Sequence, residues 1–278
     1  MTDTPTSPNT PDPQAPTPAP PGRRRRQRLA APIVVTVVAA VIALLAGLGP
    51  KVTGGSTPTP EKQPVAGSTQ TSPGAPAPES DAGDAQAAEQ IAALAQLARR
   101  TPGDPLALGR EDAPVVLINY SEFQCPYCGK FARDTKPTLV RDYVDQGLLR
   151  IEWRDFPYLG EESVTAALAA RAAAAQGKFW QFHDAMFADQ QPPNSGALTD
   201  GFLTTVARGV GLDTKRFRAD LADPGLQAEV EQDFLEGQSI GVNGTPAFLI
   251  NGNPVMGAQP TETFTRIIDA EIARAQGT

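Results

Sequence analysis

The sequence predicts an α/β domain with a helical insertion, preceded by one transmembrane helix and a disordered linker. Three observations predict it. All of the Phe, Trp, Tyr and Cys residues of the 278-residue chain lie beyond Asp84, whereas the first 84 residues hold 16 of its 28 prolines. A run of 20 residues without a charge, Leu29 to Leu48, interrupts that proline-rich part. Beyond Asp84, short β-branched runs alternate with helical stretches, the pattern of an α/β sheet domain.

Residues 1–28 read as a disordered cytoplasmic N-terminus, because they lack the apolar side chains that offset the entropy of ordering a chain. They end in a basic block, Arg23, Arg24, Arg25, Arg26 and Arg28, within a chain of net charge -7. No basic face with interleaved aromatics follows, which argues against nucleic acid as a partner. The run LAAPIVVTVVAAVIALLAGL at 29–48 would span roughly 30 Å as a helix, the thickness of a bilayer core. Arginines immediately before it predict that the N-terminus stays in the cytoplasm and the C-terminal domain lies outside. A cleaved signal peptide is the competing reading. The apolar run is longer than a signal core of about 7–15 residues, and a Pro/Thr-rich leader precedes the arginines, so the uncleaved anchor fits better. A twin-arginine export signal is matched only by the arginine pairs themselves. Residues 49–84 form a linker rich in Pro, Ser, Thr and Gly. Its part from Gly54 to Asp84 would reach roughly 30 Å as a coil and up to about 90 Å as extended polyproline.

The domain covers 85–278. Ile91, Leu94 and Leu97 give one apolar face to a helix over 85–99. VVLINY, Val115 to Tyr120, has the character of a strand buried on both faces. A helix follows from Pro126 to Asp145, kinked by Pro137, then a second strand over Leu148 to Phe156. Helical stretches at 161–176, 179–188, 199–210, 214–222 and 226–236 make an insertion of about 161–236. AFLI, Ala247 to Ile250, returns to strand, turns at Asn251-Gly252 and continues as Val255-Met256. A helix over 261–275 closes the chain. The order is β-α-β, helical insertion, β-β-α.

The two cysteines stand in Cys125-Pro126-Tyr127-Cys128, directly after a strand and at the start of a helix. A helix N-terminus stabilises a thiolate, the nucleophile of disulfide exchange. Cys125 is therefore the expected nucleophile, and Cys128, one turn on and less exposed, the resolving thiol. A zinc site would want four ligands, whereas two cysteines and one histidine are present. A purely structural disulfide would close only four residues and stabilise little. A cysteine hydrolase using His183 would be disarmed by oxidation of its neighbouring thiol outside the cytoplasm. His183, in FWQFHDAMF, reads as a packing or surface residue of a helix. No metal and no cofactor are called for.

EFQCPYCGKF (122–131), followed by GVNGTPAFLING (241–252), resembles the DsbA-type thioredoxin-fold thiol:disulfide oxidoreductases of bacterial envelopes, which include membrane-anchored forms. The resemblance spans about 105–276 and takes in IEWRDFPYLG and GKFWQFHDAMF. It implies a thioredoxin-like fold, a cis Thr245-Pro246 bond beside the cysteines, and pairing of the Thr245 main chain with an extended substrate peptide. It also implies exported cysteine-containing proteins as substrates and a quinone-linked membrane protein as redox partner. Asn119 stands where the family often has a buried acid, and Asn cannot relay a proton. The sequence leaves water, Glu122 and Glu152 open as the acceptor for Cys128. Tyr127 replaces the His of the most oxidising members and suggests an intermediate potential. Related dithiols spread over about 150 mV, or about 7 kcal/mol for two electrons. An oxidase is the first reading, a reductase or isomerase the second. A tethered module that binds clients or delivers a metal without turnover is the third.

Overall fold

A computed structural model describes Met1 and residues 80–277. The basic block, the apolar run at 29–48 and the linker up to residue 79 lie outside the described residues. Among the described residues no helix is long and apolar enough to cross a membrane.

Five strands form one sheet in the order β1-β3-β2-β4-β5. The central strand β2 (Val115–Ser121) is buried along its whole length, as its β-branched run predicts. It pairs parallel with β3 (Leu149–Asp155) and antiparallel with β4 (Ala247–Ile250). β5 (Asn253–Met256) returns beside β4 through Asn251 and Gly252, both at positive φ (45° and 87°), the backbone of a tight type I′ hairpin. The Asn251 side chain accepts from Val116 N at 2.9 Å and so ties the hairpin to β2. A strand that the sequence reading lacks, β1 (Ala107–Leu108), pairs antiparallel with β3 at the sheet edge. Two residues of Ala and Leu carry no strand signal of their own.

Helix α1 (Ser80–Ala95) starts five residues before the expected position and ends before Arg99. It lies against the β4–β5 hairpin: a Cβ on Gly252 would meet Ile91 O at 2.0 Å. The stretch between β2 and β3 is helical from 126 to 144, but not as a simple kinked helix. Helix α2 (Pro126–Lys130) runs into a π-helical turn (Phe131–Thr135), then α3 (Lys136–Leu139) and a second π turn (Val140–Val144). Pro137 falls in the first turn of α3, where a missing N–H is tolerated, so the proline redirects the bonding pattern without ending the helix.

The insertion comprises α4 (Glu161–Ala174), α5 (Phe179–Ala188), α6 (Asp200–Gly209), α7 (Thr214–Asp220) and α8 (Pro224–Ser239). Thr199, Asp213 and Asp223 cap the last three of these with side-chain oxygens. α9 (Thr261–Gln276) closes the domain. One apolar cluster joins Leu117 and Ile151 of the sheet to Phe131, Leu139, Phe264 and Ile268. A second joins Val116, Ile118 and Leu249 to Leu94, Leu97 and Phe234. This is the thioredoxin-like α/β fold with a helical insertion. The third cluster fills the insertion and reaches Phe123, Cys125 and Cys128, so the cysteines sit where insertion and sheet domain meet.

Candidate active site

The chain leaves β2 at Ser121, crosses Glu122, Phe123 and Gln124, and begins α2 at Pro126 with Cys125 as the N-cap. Cys125 holds an extended backbone (φ -70°, ψ 118°), while its carbonyl already accepts from Gly129 N at 3.1 Å. Pro126 suits the first helical turn because its fixed φ is helical and its missing N–H would have no intrahelical partner. Both thiols are free. The expected difference in exposure is small: Cys125 is 3% exposed and Cys128 1%. Their environments differ far more. The hydrogen bond from Cys128 and the backbone N–H groups of Cys128 and Tyr127 outweigh burial and bring Cys125 down to about 6. Burial and the neighbouring Cys125 push Cys128 well above an ordinary thiol.

The Thr245-Pro246 bond is cis. The Thr245 carbonyl oxygen lies 3.2 Å from Cys125 Sγ and accepts from it as a thiol. Tyr127 projects into solvent at 64% exposure, and Pro126 beside it is exposed.

Of the acids that the sequence leaves open, neither is among the groups that bear most on Cys128. Glu152 is buried between Arg150 and Arg154 and accepts from the backbone N–H groups of Arg99 and Arg100. These donors override burial and hold it at about 2, too weak a base to take a thiol proton. Glu122 is buried on the Cys125 side, with Oε2 accepting from Ser163 Oγ and Oε1 without a partner. Burial first, and the nearby Cys125 charge, push it up to about 7. Asn119 is buried with its Oδ1 unpartnered. After Cys125, the side chains that bear most on Cys128 are those of Ser121 and Thr245.

Comparison with known proteins agrees with this geometry. A thioredoxin family model matches residues 101–270. The chain belongs to the thioredoxin family. The probable disulfide bond formation protein D of Bacillus cereus is 27% identical over 172 residues, covering 60% of this chain and 79% of that protein. The crystal structure of Wolbachia pipientis alpha-DsbA1 superposes with a TM-score of 0.58 at 25% identity, covering 65% of this chain and 96% of that one. The Na(+)/H(+) antiporter NhaA 3 of Salinispora tropica is 34% identical over 170 residues, which are 60% of this chain but only 25% of the antiporter. This thioredoxin-family domain is a DsbA-like thiol–disulfide oxidoreductase.

Several residues around the thioredoxin-family site carry no sequence signal. Tyr158, 42% exposed, stands close enough to Thr245, Cys125 and Glu122 for their charges and hydrogen bonds to act on its phenol. Ser163, on α4, also accepts from Gln124 Nε2 at 2.7 Å. His183 is a packing residue, as expected: it is buried among Phe123, Trp153 and Phe187, and burial pushes it down to about 4. Among the described residues no His, Cys, Asp and Glu side chains gather into a group able to hold a metal ion.

Proposed function

We propose that this chain is a membrane-anchored oxidase of exported proteins, working outside the cytoplasm through Cys125 as nucleophile and Cys128 as resolving thiol. The observation that supports it best is the asymmetry of the pair at the start of α2: one thiol drawn down to about 6, the other raised by burial. In the oxidising direction a substrate thiolate attacks Cys125 Sγ of the Cys125–Cys128 disulfide. The S–S bond breaks, a mixed disulfide forms, and Cys128 leaves as a thiolate that takes up a proton. A second substrate thiolate then attacks the substrate sulfur of the mixed disulfide. Cys125 leaves with the electron pair, the substrate keeps a disulfide, and the site is left as a dithiol. A leaving thiol of low pKa departs faster and favours the reduced site, which makes the site an oxidant.

The Thr245 main chain beside Cys125 is the edge on which an extended substrate peptide would pair, and Tyr127 and Tyr158 flank the approach. Reoxidation is assigned to a quinone-linked membrane protein. The apolar run at 29–48 behind its arginine block carries the membrane and orientation reading, with the linker 49–84 as tether. The names of the relatives, a disulfide bond formation protein and a DsbA, favour exported cysteine-containing substrates for this chain as well.

Acid quenching of intact cells followed by thiol alkylation tests the direction. A predominantly disulfide form at steady state is expected. A predominantly dithiol form would replace the oxidase by a reductase or isomerase, and a Cys125→Ala chain that still supports function would leave only a binding module.

A further inference from the structure

Gln190 stands just beyond the end of α5, and its carboxamide reaches the turn from β2 into α2. Nε2 donates to the carbonyl oxygens of Phe123 (3.0 Å) and Cys125 (2.8 Å). Oε1 of the same amide accepts from Arg133 Nη1 at 3.3 Å, and Arg133 Nη1 also donates to Phe187 O at 2.7 Å. Two carbonyls on one side and a guanidinium on the other define which end of the amide faces the turn. A glycine makes room for this arrangement. A Cβ on Gly129 would lie 2.0 Å from Gln190 Oε1 and 2.6 Å from Arg133 Nη1. Gly129 lies inside α2, where its backbone is helical and any residue would be tolerated. A side chain here would instead have to displace the ends of Gln190 and Arg133.

The same part of the insertion holds the turn at a second point. Gln124 Oε1 accepts from Asn194 N at 2.6 Å. The 123–124 and 125–126 peptide planes, and the Gln124 side chain between them, are therefore fixed from outside the sheet domain. Those planes set the direction in which α2 leaves the sheet. The interaction of a helix end with a charge falls off within a turn, so the Tyr127 and Cys128 N–H groups act on the Cys125 sulfur only while that direction is kept.

We infer that Gln190 is a positioning residue for Cys125, and that Gly129 follows the second cysteine in order to admit its carboxamide. The inference rests on Cys125 being the nucleophile. Its test uses the full chain and reads two quantities that a merely structural side chain would not move. These are the pH at which the Cys125 thiolate appears by ultraviolet absorbance, and the dithiol–disulfide equilibrium against glutathione. Q190A is expected to raise the thiolate titration by about one pH unit, the worth of one lost hydrogen bond. It should also shift the equilibrium about tenfold toward the disulfide. G129A should give the same shifts, and the double variant G129A/Q190A no more than Q190A alone, because both act through one amide. Q190E, which keeps the shape but sets a carboxylate oxygen against two carbonyls, should shift both quantities in the same direction. A Q190A chain that titrates where the wild type does, or G129A and Q190A effects that add, would overturn the inference while leaving the nucleophile assignment intact. A wild-type chain with no thiolate below the ordinary cysteine range would overturn both.

Discussion

Glu122 and Glu152 are both buried carboxylates, one just past the end of β2 and the other within the neighbouring strand β3, and their surroundings give them opposite behaviour. Glu152, in the middle of β3, meets four donors: Arg150 Nε at 2.9 Å, Arg154 Nη2 at 2.9 Å, and the backbone N–H groups of Arg99 (3.0 Å) and Arg100 (2.8 Å). Glu122, just past the end of β2, has one partner in Ser163 and a buried oxygen with none. Burial acts on both carboxylates in the same direction. What differs is the charge and number of donors that meet them, so Glu152 stays ionised down to strongly acid pH and Glu122 titrates near neutrality. The lesson concerns division of labour. The region around Glu152 is a fastening that joins the segment after α1 to β3, and the region around Glu122 leaves a proton free to move beside the reactive thiol.

The largest expected effect breaks the fastening. In E152Q the guanidinium groups of Arg150 and Arg154 lose the carboxylate between them, and two of the four donors meet an amide N–H instead of an acceptor, because each carboxylate oxygen accepts from two. Removing one partner of a buried ion pair costs about 3–5 kcal/mol, so urea unfolding should show a loss of that order. Amide exchange in residues 99–113 should accelerate more than in β2. A loss below about 1 kcal/mol would mean that the arginines are satisfied without Glu152 and that the contrast with Glu122 is not one of stability.

The next effect separates the two carboxylates by pH. Glu122 holds its proton up to about 7 in the folded chain and releases it near 4.5 when unfolded. Between these values the folded state binds more protons, so stability falls as pH rises. E122Q has no such slope. It should match the wild type below about pH 4.5 and exceed it above pH 7 by on the order of 2 kcal/mol. Glu152 works in the opposite sense, since its folded value of about 2 lies below 4.5. Its contribution is present above 4.5 and is lost as pH falls toward 2. Unfolding curves across pH for wild type and E122Q check both limbs, and parallel curves between pH 4.5 and 7 would mean that Glu122 is ionised in the folded chain.

Much of this architecture was legible because local pattern and tertiary demand coincide. Val115–Ser121 needed two apolar faces and got a β-branched run; Asn251-Gly252 needed positive φ twice and got the residues that accept it. The cysteine pair was legible because its chemistry depends on a helix end that the next residue, Pro126, announces. Glu152 was legible in principle: Arg150, Glu152 and Arg154 alternate along a strand and so share one face, where they pair. What could not be read is what depends on contacts far along the chain. β1 exists only because β3 offers an edge. Gln190 and Ser163 reach the site from the insertion, 65 and 41 residues from their partners Cys125 and Glu122. Only Gly129, a glycine inside a helix without a turn to explain it, left a trace of Gln190 in the motif itself.

The smallest effect sharpens the comparison at the cysteines. The charge of Cys125 helps to raise Glu122, and coupling between two titrating groups is reciprocal, so an ionised Glu122 must oppose the Cys125 thiolate. Removing that charge in E122Q should lower the thiolate titration by a few tenths of a pH unit, an ordinary size for one partly screened like charge. E152Q should leave it where it is, because the charge of Glu152 is offset by Arg150 and Arg154 on either side of it. Thiolate absorbance against pH for the three proteins decides the point. A downward shift in E122Q alone would establish that the carboxylate without a cation is the one in communication with the nucleophile. An equal shift in E152Q would mean that the charge reaching Cys125 belongs to the sheet as a whole, and that the two regions are less separate than their hydrogen bonds imply.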